Sequence, residues 1–255
     1  MHTVLVCALA TATCGRAQWA GADLVNVRPV GPMDNGFEPT LQRVFDGLTP
    51  GGAGLIDAVG DQTGSAIFTS PGDTYTATLE IEVAGFAAKN TFGIYSFADP
   101  TRRATVFNGR ASVGDVATLR FEADGDVRVE TGGRSFTFGD MFAPAGARDF
   151  GFFITTPERR AFFTEDSRNP FGRPQALIYQ GDDRTQVNFG MGSETFDSDE
   201  FVIAFENAAY GSGDKDFQDM VVFVQSLTPV PAPGAAALGA LGLCLGGWVG
   251  RKCIK

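Results

Sequence analysis

Polar and apolar side chains alternate strictly along Thr74–Val83, whose sequence is TYTATLEIEV. Every second residue from Tyr75 is apolar, and Thr or Glu occupies the positions between them. Successive side chains of a β-strand point to opposite faces of the sheet, so this alternation predicts a strand with one face buried and the other in water.

Shorter runs of the same kind follow along the chain, and turn residues separate them. Asp124–Gly125 lies between two apolar–Arg–apolar triplets, which is typical of a β-hairpin, and Asn108–Gly109 is a second turn signal. Further short strands are predicted at Phe92–Phe97, Ala104–Phe107, Ser135–Phe138, Phe150–Ile154 and Ala176–Tyr179. This spacing predicts an all-β fold, built as a β-sandwich or a jelly roll.

Helical periodicity is confined to Leu41–Leu48, where we expect one short helical turn. The 23 phenylalanines fall mostly at inward positions of the predicted strands, so we interpret them as core residues. The polar segment from Thr156 to Pro174 is predicted to be a surface loop. Length does not decide between one domain and two within residues 23–227.

The acidic residues most relevant to function lie in the stretch from Phe201 to Val224. Two apolar runs flank a glycine-bearing loop with three aspartates, and a glutamate ends the first run. This pattern predicts a hairpin whose turn carries four carboxylates: Glu206, Asp214, Asp216 and Asp219. Because hard oxygen ligands on a tight loop are what Ca²⁺ prefers, we predict a Ca²⁺ site there. Aspartate is also a common turn former, so a hairpin without an ion stays an alternative.

Composition excludes several classes of protein. The formal net charge is −10, and all 30 acidic residues lie between Asp23 and Asp219, which is opposite to the charge of a nucleic-acid-binding protein. The one histidine is His2, and the four cysteines lie in the terminal segments. A central domain without His or Cys has no Ser-His-Asp or Cys-His nucleophile and no histidine-ligated zinc. We therefore predict a protein that is not an enzyme.

Both ends of the chain carry export signals. Residues 1–22 combine a short apolar run with small-residue cleavage patterns, which predicts a secretory signal peptide; a buried first strand is the alternative. At the other end, a Pro-rich linker over 228–234 leads into a tail, 235–255. The tail is apolar up to Val249 and ends in basic residues, which predicts a transmembrane helix. A buried C-terminal helix is the alternative for the tail.

The tail resembles the PEP-CTERM sorting signal. The resemblance rests on Pro231-Ala232-Pro233, the apolar segment after it, and Arg251-Lys252, with Ala232 where the signature has Glu. It implies recognition by an exosortase, transient anchoring in the inner membrane, and delivery to the cell surface or the extracellular matrix.

Residues 136–224 resemble a domain family of unknown function, number 4114 of its series. The match rests on Phe205-Glu206, a glycine-bearing loop, and Gly213-Asp214-x-Asp216-Phe217-x-Asp219 before an apolar strand. Asn207 stands where family members often have an acid, and Gln218 where they often have Asn. The resemblance implies an extracellular β-rich module, with cation binding plausible, and no known catalytic activity.

Taken together, these features predict an exported surface or matrix protein of structural or adhesive type, with a Ca²⁺-stabilised β-domain. The alternative is a carbohydrate-binding module acting on exopolysaccharide, with Tyr75, Tyr95, Tyr179 and Tyr210 as its aromatic candidates outside the terminal segments. A hydrolase using paired carboxylates such as Glu165 and Asp197 is a third hypothesis.

Overall fold

A computed structural model of the chain describes residues 40–51, 54–64, 66–70, 75–83, 89–142, 148–189, 192–209 and 215–230, with the backbone alone along 75–83. The described chain holds one α-helix, α1, at Leu41–Leu48. The strands are β1 (Phe68–Thr69), β2 (Tyr75–Val83), β3 (Thr91–Ser96), β4 (Arg103–Phe107), β5 (Val116–Phe121), β6 (Val127–Thr131), β7 (Arg134–Phe138), β8 (Asp149–Thr155), β9 (Ala161–Phe163), β10 (Ala176–Gln180), β11 (Gln186–Asn188), β12 (Ser193–Thr195), β13 (Phe201–Phe205), β14 (Met220–Gln225) and β15 (Thr228–Pro229).

These strands form two main antiparallel sheets. The large sheet has the order β10-β13-β14-β2-β5-β6-β7. The small sheet has the order β15-β1-β8-β3-β4, and β9 pairs with β8 beside this path. A separate hairpin joins β11 to β12. The predicted all-β class is confirmed, while the jelly-roll connectivity stays a prediction.

The inner faces of the two sheets share one core, which is rich in phenylalanine. Phe68 of β1 packs edge-on against Phe201 of β13, with ring centroids 4.9 Å apart. Phe92 of β3 packs against Phe205 in the same way, at 6.1 Å. These rings are fully buried, and each pair joins one sheet to the other. The sheets therefore form a sandwich, and the interpretation of most phenylalanines as core residues is confirmed.

The described residues also cover the outer face of the large sheet along β10, β13 and β14. Phe45 of α1 lies edge-on to Tyr179, and Phe189 stacks on Phe223 at 3.5 Å between ring centroids. These residues belong to a second buried cluster, which we call the outer core. Because β13 lies between two cores, both of its faces need apolar side chains, and it is a continuous apolar run.

Helix α1 forms as its sequence predicts and extends over two turns. The hydroxyl of Thr40 caps it by accepting a hydrogen bond from the backbone N–H of Arg43 at 3.2 Å. Leu41, Val44 and Phe45 form its buried stripe, with the spacing of one helical face. A helix of this length is marginal in isolation, so its stability comes from the packing of the apolar stripe against the sheet.

Two sequence-based boundaries need correction. The segment from Thr156 to Pro174 is not simply a surface loop, because it contains β9 and buries Phe162, Thr164 and Asn169. Its polar residues obscured a short apolar strand that pairs with β8. Thr228–Pro229 forms β15 against β1, so it belongs to the small sheet rather than to the linker.

The two predicted export signals, residues 1–22 and 235–255, lie outside the described residues. Within the part of the chain that the structure describes, no helix has the length and hydrophobicity to cross a membrane. Both signals therefore stay predictions.

We predict opposite stability changes for two glycine-to-alanine variants. A Cβ on Gly93 of β3 would lie 2.2 Å from the backbone oxygen of Ala104, so Gly93→Ala should lower the free energy of unfolding by about 1–3 kcal/mol. A Cβ on Gly47 of α1 meets nothing within 4 Å, so Gly47→Ala should raise it by about 0.5–1 kcal/mol. Urea unfolding of both variants measures the difference, and equal effects would contradict this packing.

Candidate metal centre

The candidate site lies at the open end of the hairpin formed by β13 and β14. The two strands pair antiparallel, with Phe205 opposite Met220 at the end of the ladder. Glu206 follows Phe205 directly, and Asp219 directly precedes Met220. The strand register therefore brings Glu206 and Asp219 together from the two sides of the hairpin.

Asp216 completes a cluster of three carboxylates with these two residues. A carboxylate oxygen from each lies within 4.8 Å of the other two. The side chains are almost fully buried, with exposures of 2% for Glu206, 6% for Asp216 and 5% for Asp219. Like charges this close repel one another strongly, and burial raises the cost further because water no longer solvates them.

Backbone N–H groups donate hydrogen bonds to the carboxylates of Glu206 and Asp219. The two carboxylate oxygens of Glu206 accept from the backbone N–H groups of Ala208 at 3.0 Å and Lys215 at 2.9 Å. Asp219 accepts from the backbone N–H of Asn207 at 2.8 Å. These bonds orient the carboxylate oxygens of Glu206 and Asp219, but a backbone dipole carries no net positive charge.

The side chain of Gln218 is a further donor. Its Nε2 donates to Oδ2 of Asp216 at 2.8 Å, and the residue is 1% exposed. Gln218 thus orients the carboxylate of Asp216 from two positions further along the chain. Gln218 directly precedes Asp219 in the sequence, but a glutamine at this position does not by itself indicate that its side chain binds Asp216.

The backbone on both sides of Asp216 is strained. Lys215 has φ 63° and Phe217 has φ 56°, a left-handed conformation that bulky residues rarely adopt. Phe217 is fully buried in the outer core, and this contact holds the strained loop in place. Such strain costs roughly 1–3 kcal/mol per residue, and it gathers at sites where geometry matters.

Gln175, just before β10, ties the carboxylate loop to the neighbouring strand. Its Nε2 donates to the backbone oxygen of Ala208 at 2.8 Å and to that of Glu206 at 3.3 Å. Its own backbone oxygen accepts from the N–H of Glu206 at 3.1 Å. Sequence reasoning missed this residue because its partners lie far along the chain.

The predicted set of ligands is thus brought together in large part. Glu206, Asp216 and Asp219 converge, as the hairpin predicts, and Asp214 lies outside the described residues. Three buried carboxylates can offer hard, anionic oxygens to a divalent cation. That an ion binds, and that it is Ca²⁺, stay predictions.

A different buried acid, Glu200, lies at the opposite end of β13. It is 7% exposed and accepts hydrogen bonds from the backbone N–H of Asp197 at 2.9 Å and from Nε2 of Gln225 at 3.0 Å. Burial raises the pKa of Glu200 to about 7, with a further contribution from the negative charges of Glu194 and Asp197.

Glu165, one of the two carboxylates of the hydrolase hypothesis, has structural partners. Glu165 accepts hydrogen bonds from the hydroxyl of Ser167 at 2.9 Å and that of Tyr95 at 3.3 Å, and it forms an ion pair with Arg168. The backbone N–H of Asp197 donates to Glu200, as described above. The pairing of Glu165 with Asp197 as acid and base stays a hypothesis.

Two of the four aromatic candidates for a sugar-stacking surface are buried. Tyr95 and Tyr179 are buried, with exposures of 0% and 1%, so neither can stack on a ligand at the surface. The side chains of Tyr75 and Tyr210 lie outside the described residues.

Comparisons with known proteins do not identify a family. No family model matches the chain, and no curated protein matches it. Two solved structures are similar to it at low level. The C-terminal domain of the BC2L-C lectin from Burkholderia cenocepacia has 16% identity and a TM-score of 0.27, covering 67% of this chain and 99% of that domain. The lectin CV2L from Chromobacterium violaceum, in complex with α-methyl-fucoside, has 14% identity and a TM-score of 0.26, covering 66% and 100%. At these TM-scores the likeness supports no conclusion about fold or ligand.

We predict that Glu200 makes stability depend on pH. Its pKa in the folded state lies above the ordinary value of 4.5, so its contribution is fully present below pH 4.5 and is lost as the pH rises through about 7. In Glu200→Gln this loss is absent, so the variant should gain in melting temperature relative to the wild type between pH 4 and pH 8. Glu130→Gln, an exposed acid on β6, is the control and should show a flat difference. A difference for Glu200→Gln that does not change with pH would contradict the assignment.

Proposed function

We propose that this protein is an exported, non-enzymatic component of the cell surface or extracellular matrix, and that Ca²⁺ stabilises its β-sandwich at the β13–β14 hairpin. The observation that carries the proposal is the convergence of Glu206, Asp216 and Asp219 in a buried cluster. Burying three carboxylates so close together is unfavourable unless a cation compensates their charge.

The chemistry of the donors favours Ca²⁺ over other divalent ions. Zn²⁺ prefers histidine and cysteine ligands, and residues 40–230 contain neither. Mg²⁺ demands a near-ideal octahedron and keeps most of its waters, whereas Ca²⁺ accepts more ligands in a flexible arrangement. Carboxylates from an irregular loop fit Ca²⁺ better. Asp214, which precedes Lys215, is the proposed fourth ligand.

Export rests on the sequence of the two ends. The signal peptide over residues 1–22 and the PEP-CTERM-like tail over 235–255 support passage through the inner membrane and recognition by an exosortase. The absence of cysteine between Cys14 and Cys244 leaves the mature domain without disulfides. In the extracellular space, where Ca²⁺ is abundant, a metal bound at the hairpin supplies the stabilisation that a disulfide gives other secreted domains.

We predict a higher melting temperature in Ca²⁺ than in EDTA. At a free Ca²⁺ concentration of a hundred times Kd, the linkage relation gives about 2.7 kcal/mol of stabilisation. For a domain of this size that corresponds to about 5–10 °C. Scanning calorimetry and isothermal titration measure the two quantities, and identical melting in both buffers would overturn the proposal.

The Glu206→Gln variant separates a metal site from a structural acid cluster. We expect it to lose most of the Ca²⁺-dependent increase, because it removes one ligand charge. In EDTA the relief of repulsion within the cluster is opposed by the loss of one backbone hydrogen bond, because Gln has a single acceptor oxygen, so the melting temperature of the variant should stay close to that of the wild type. Glu130→Gln removes the same charge from an exposed strand and should retain the full increase.

A further variant, Lys215→Met, tests whether the lysine side chain compensates the carboxylates in place of an ion. Its backbone N–H, which donates to Glu206, remains. We expect the Ca²⁺-dependent increase to persist in Lys215→Met. If this variant melts far below the wild type in EDTA and Ca²⁺ has no effect on either protein, the cluster is an internal ion-pair network.

A further inference from the structure

Two arginines lie opposite each other on the outer face of the large sheet, far along the sheet from the outer core. Arg120 of β5 pairs in register with Arg128 of β6. Their sequence neighbours Leu119, Phe121 and Val129 are fully buried in the central core. Alternation along each strand therefore places both arginines on the opposite, outward face.

The pair is electrostatically unfavourable as it stands. Like charges directly opposite on adjacent strands destabilise a sheet. The Nε atom of each guanidinium is buried and has no hydrogen-bond partner among the described residues. Arg128 forms a long ion pair with Glu122, whose carboxylate is 3.9 Å from its Nε, whereas Arg120 makes no ion pair within the described chain. Arg120 is therefore left without a carboxylate partner among the described residues.

Part of each arginine side chain is exposed to solvent although its Nε atom is buried. The side chain of Arg128 is 43% exposed, and Arg120 is half-buried. Thr137 of β7 lies opposite Arg128 and is exposed, and Thr118 lies two residues before Arg120 on the same face. The result is a sheet face with two guanidinium groups at its centre and threonine residues beside them.

This combination selects one kind of ligand. Paired guanidinium groups bind planar oxyanions such as carboxylate through two parallel hydrogen bonds. The chain carries a net charge of −10, and the exposed Glu130 lies on the same face, so a polyanion of higher charge density, such as a nucleic acid, is repelled more strongly than a chain with one carboxylate per sugar ring. A uronic-acid polysaccharide has a single carboxylate on each charged ring, with neutral hydroxyl groups that suit the threonines.

We propose that Arg120 and Arg128, with Thr118 and Thr137, bind a uronate carboxylate of an acidic polysaccharide. The choice of a polysaccharide rests on the proposed function of an exported surface protein. The arginine geometry is independent of the metal centre, because it involves a different part of the large sheet.

The test is a titration of short oligogalacturonate into the full protein in EDTA, followed by isothermal calorimetry. We expect binding that weakens with added salt, and no binding of the matching neutral galacto-oligosaccharide. Arg120→Gln should weaken binding about tenfold or more, since it removes a charge-assisted contact, and the double variant with Arg128→Gln should abolish it. Arg134→Gln, on exposed β7, is the matched control and should bind like the wild type.

Folding and the metal centre are monitored in the same variants. Arg120→Gln should melt at or above the wild-type temperature, because the like-charge contact is relieved, and should keep any response to Ca²⁺. Equal affinity of Arg120→Gln and wild type, or equal binding of the neutral oligosaccharide, would overturn the proposal. Self-association of the wild type that Arg120→Gln abolishes would also overturn it, since a second copy would then supply the carboxylate.

Discussion

The antiparallel register of β13 and β14 is the constraint on which the rest of this structure depends. The hairpin lies between the central core and the outer core, so both faces of its strands are apolar and buried. A slip by one residue would exchange the two faces of β13 and separate Glu206 from Asp219. The same packing that stabilises the sandwich therefore positions the carboxylates.

The carboxylate cluster is an electrostatically unfavourable feature of the fold that brings it together. Three carboxyl groups whose oxygens lie within 4.8 Å of one another, nearly excluded from water, repel one another when they are ionised. Backbone N–H groups from Asn207, Ala208 and Lys215 lower this cost and aim the oxygens. The left-handed backbone at Lys215 and Phe217 adds strain. Backbone strain of this kind is typical of ligand-binding and active sites.

The arginine pair on β5 and β6 also places like charges close together, and there the charges are positive. Along β10, β13 and β14 the outer face of the large sheet is covered by α1 and the β11–β12 hairpin. Along β5 and β6 it carries Arg120 and Arg128 side by side. Both regions place like charges close together on paired strands, although Glu130 lies on the same face as the arginines and Glu122 forms an ion pair with Arg128.

Local patterns in the sequence determined the longer strands β2–β8, β10, β13 and β14, the Asp124–Gly125 hairpin and the grouping of Glu206, Asp216 and Asp219. Strand alternation and turn chemistry act over a few residues, so they can be recognised without knowing the fold. Tertiary structure alone decided that β1 pairs with β15, that β9 joins the small sheet, and that Gln175 binds the carboxylate loop. These contacts join segments distant in the chain, and they form because burial against the sheets outweighs the weak local preference of short, polar segments.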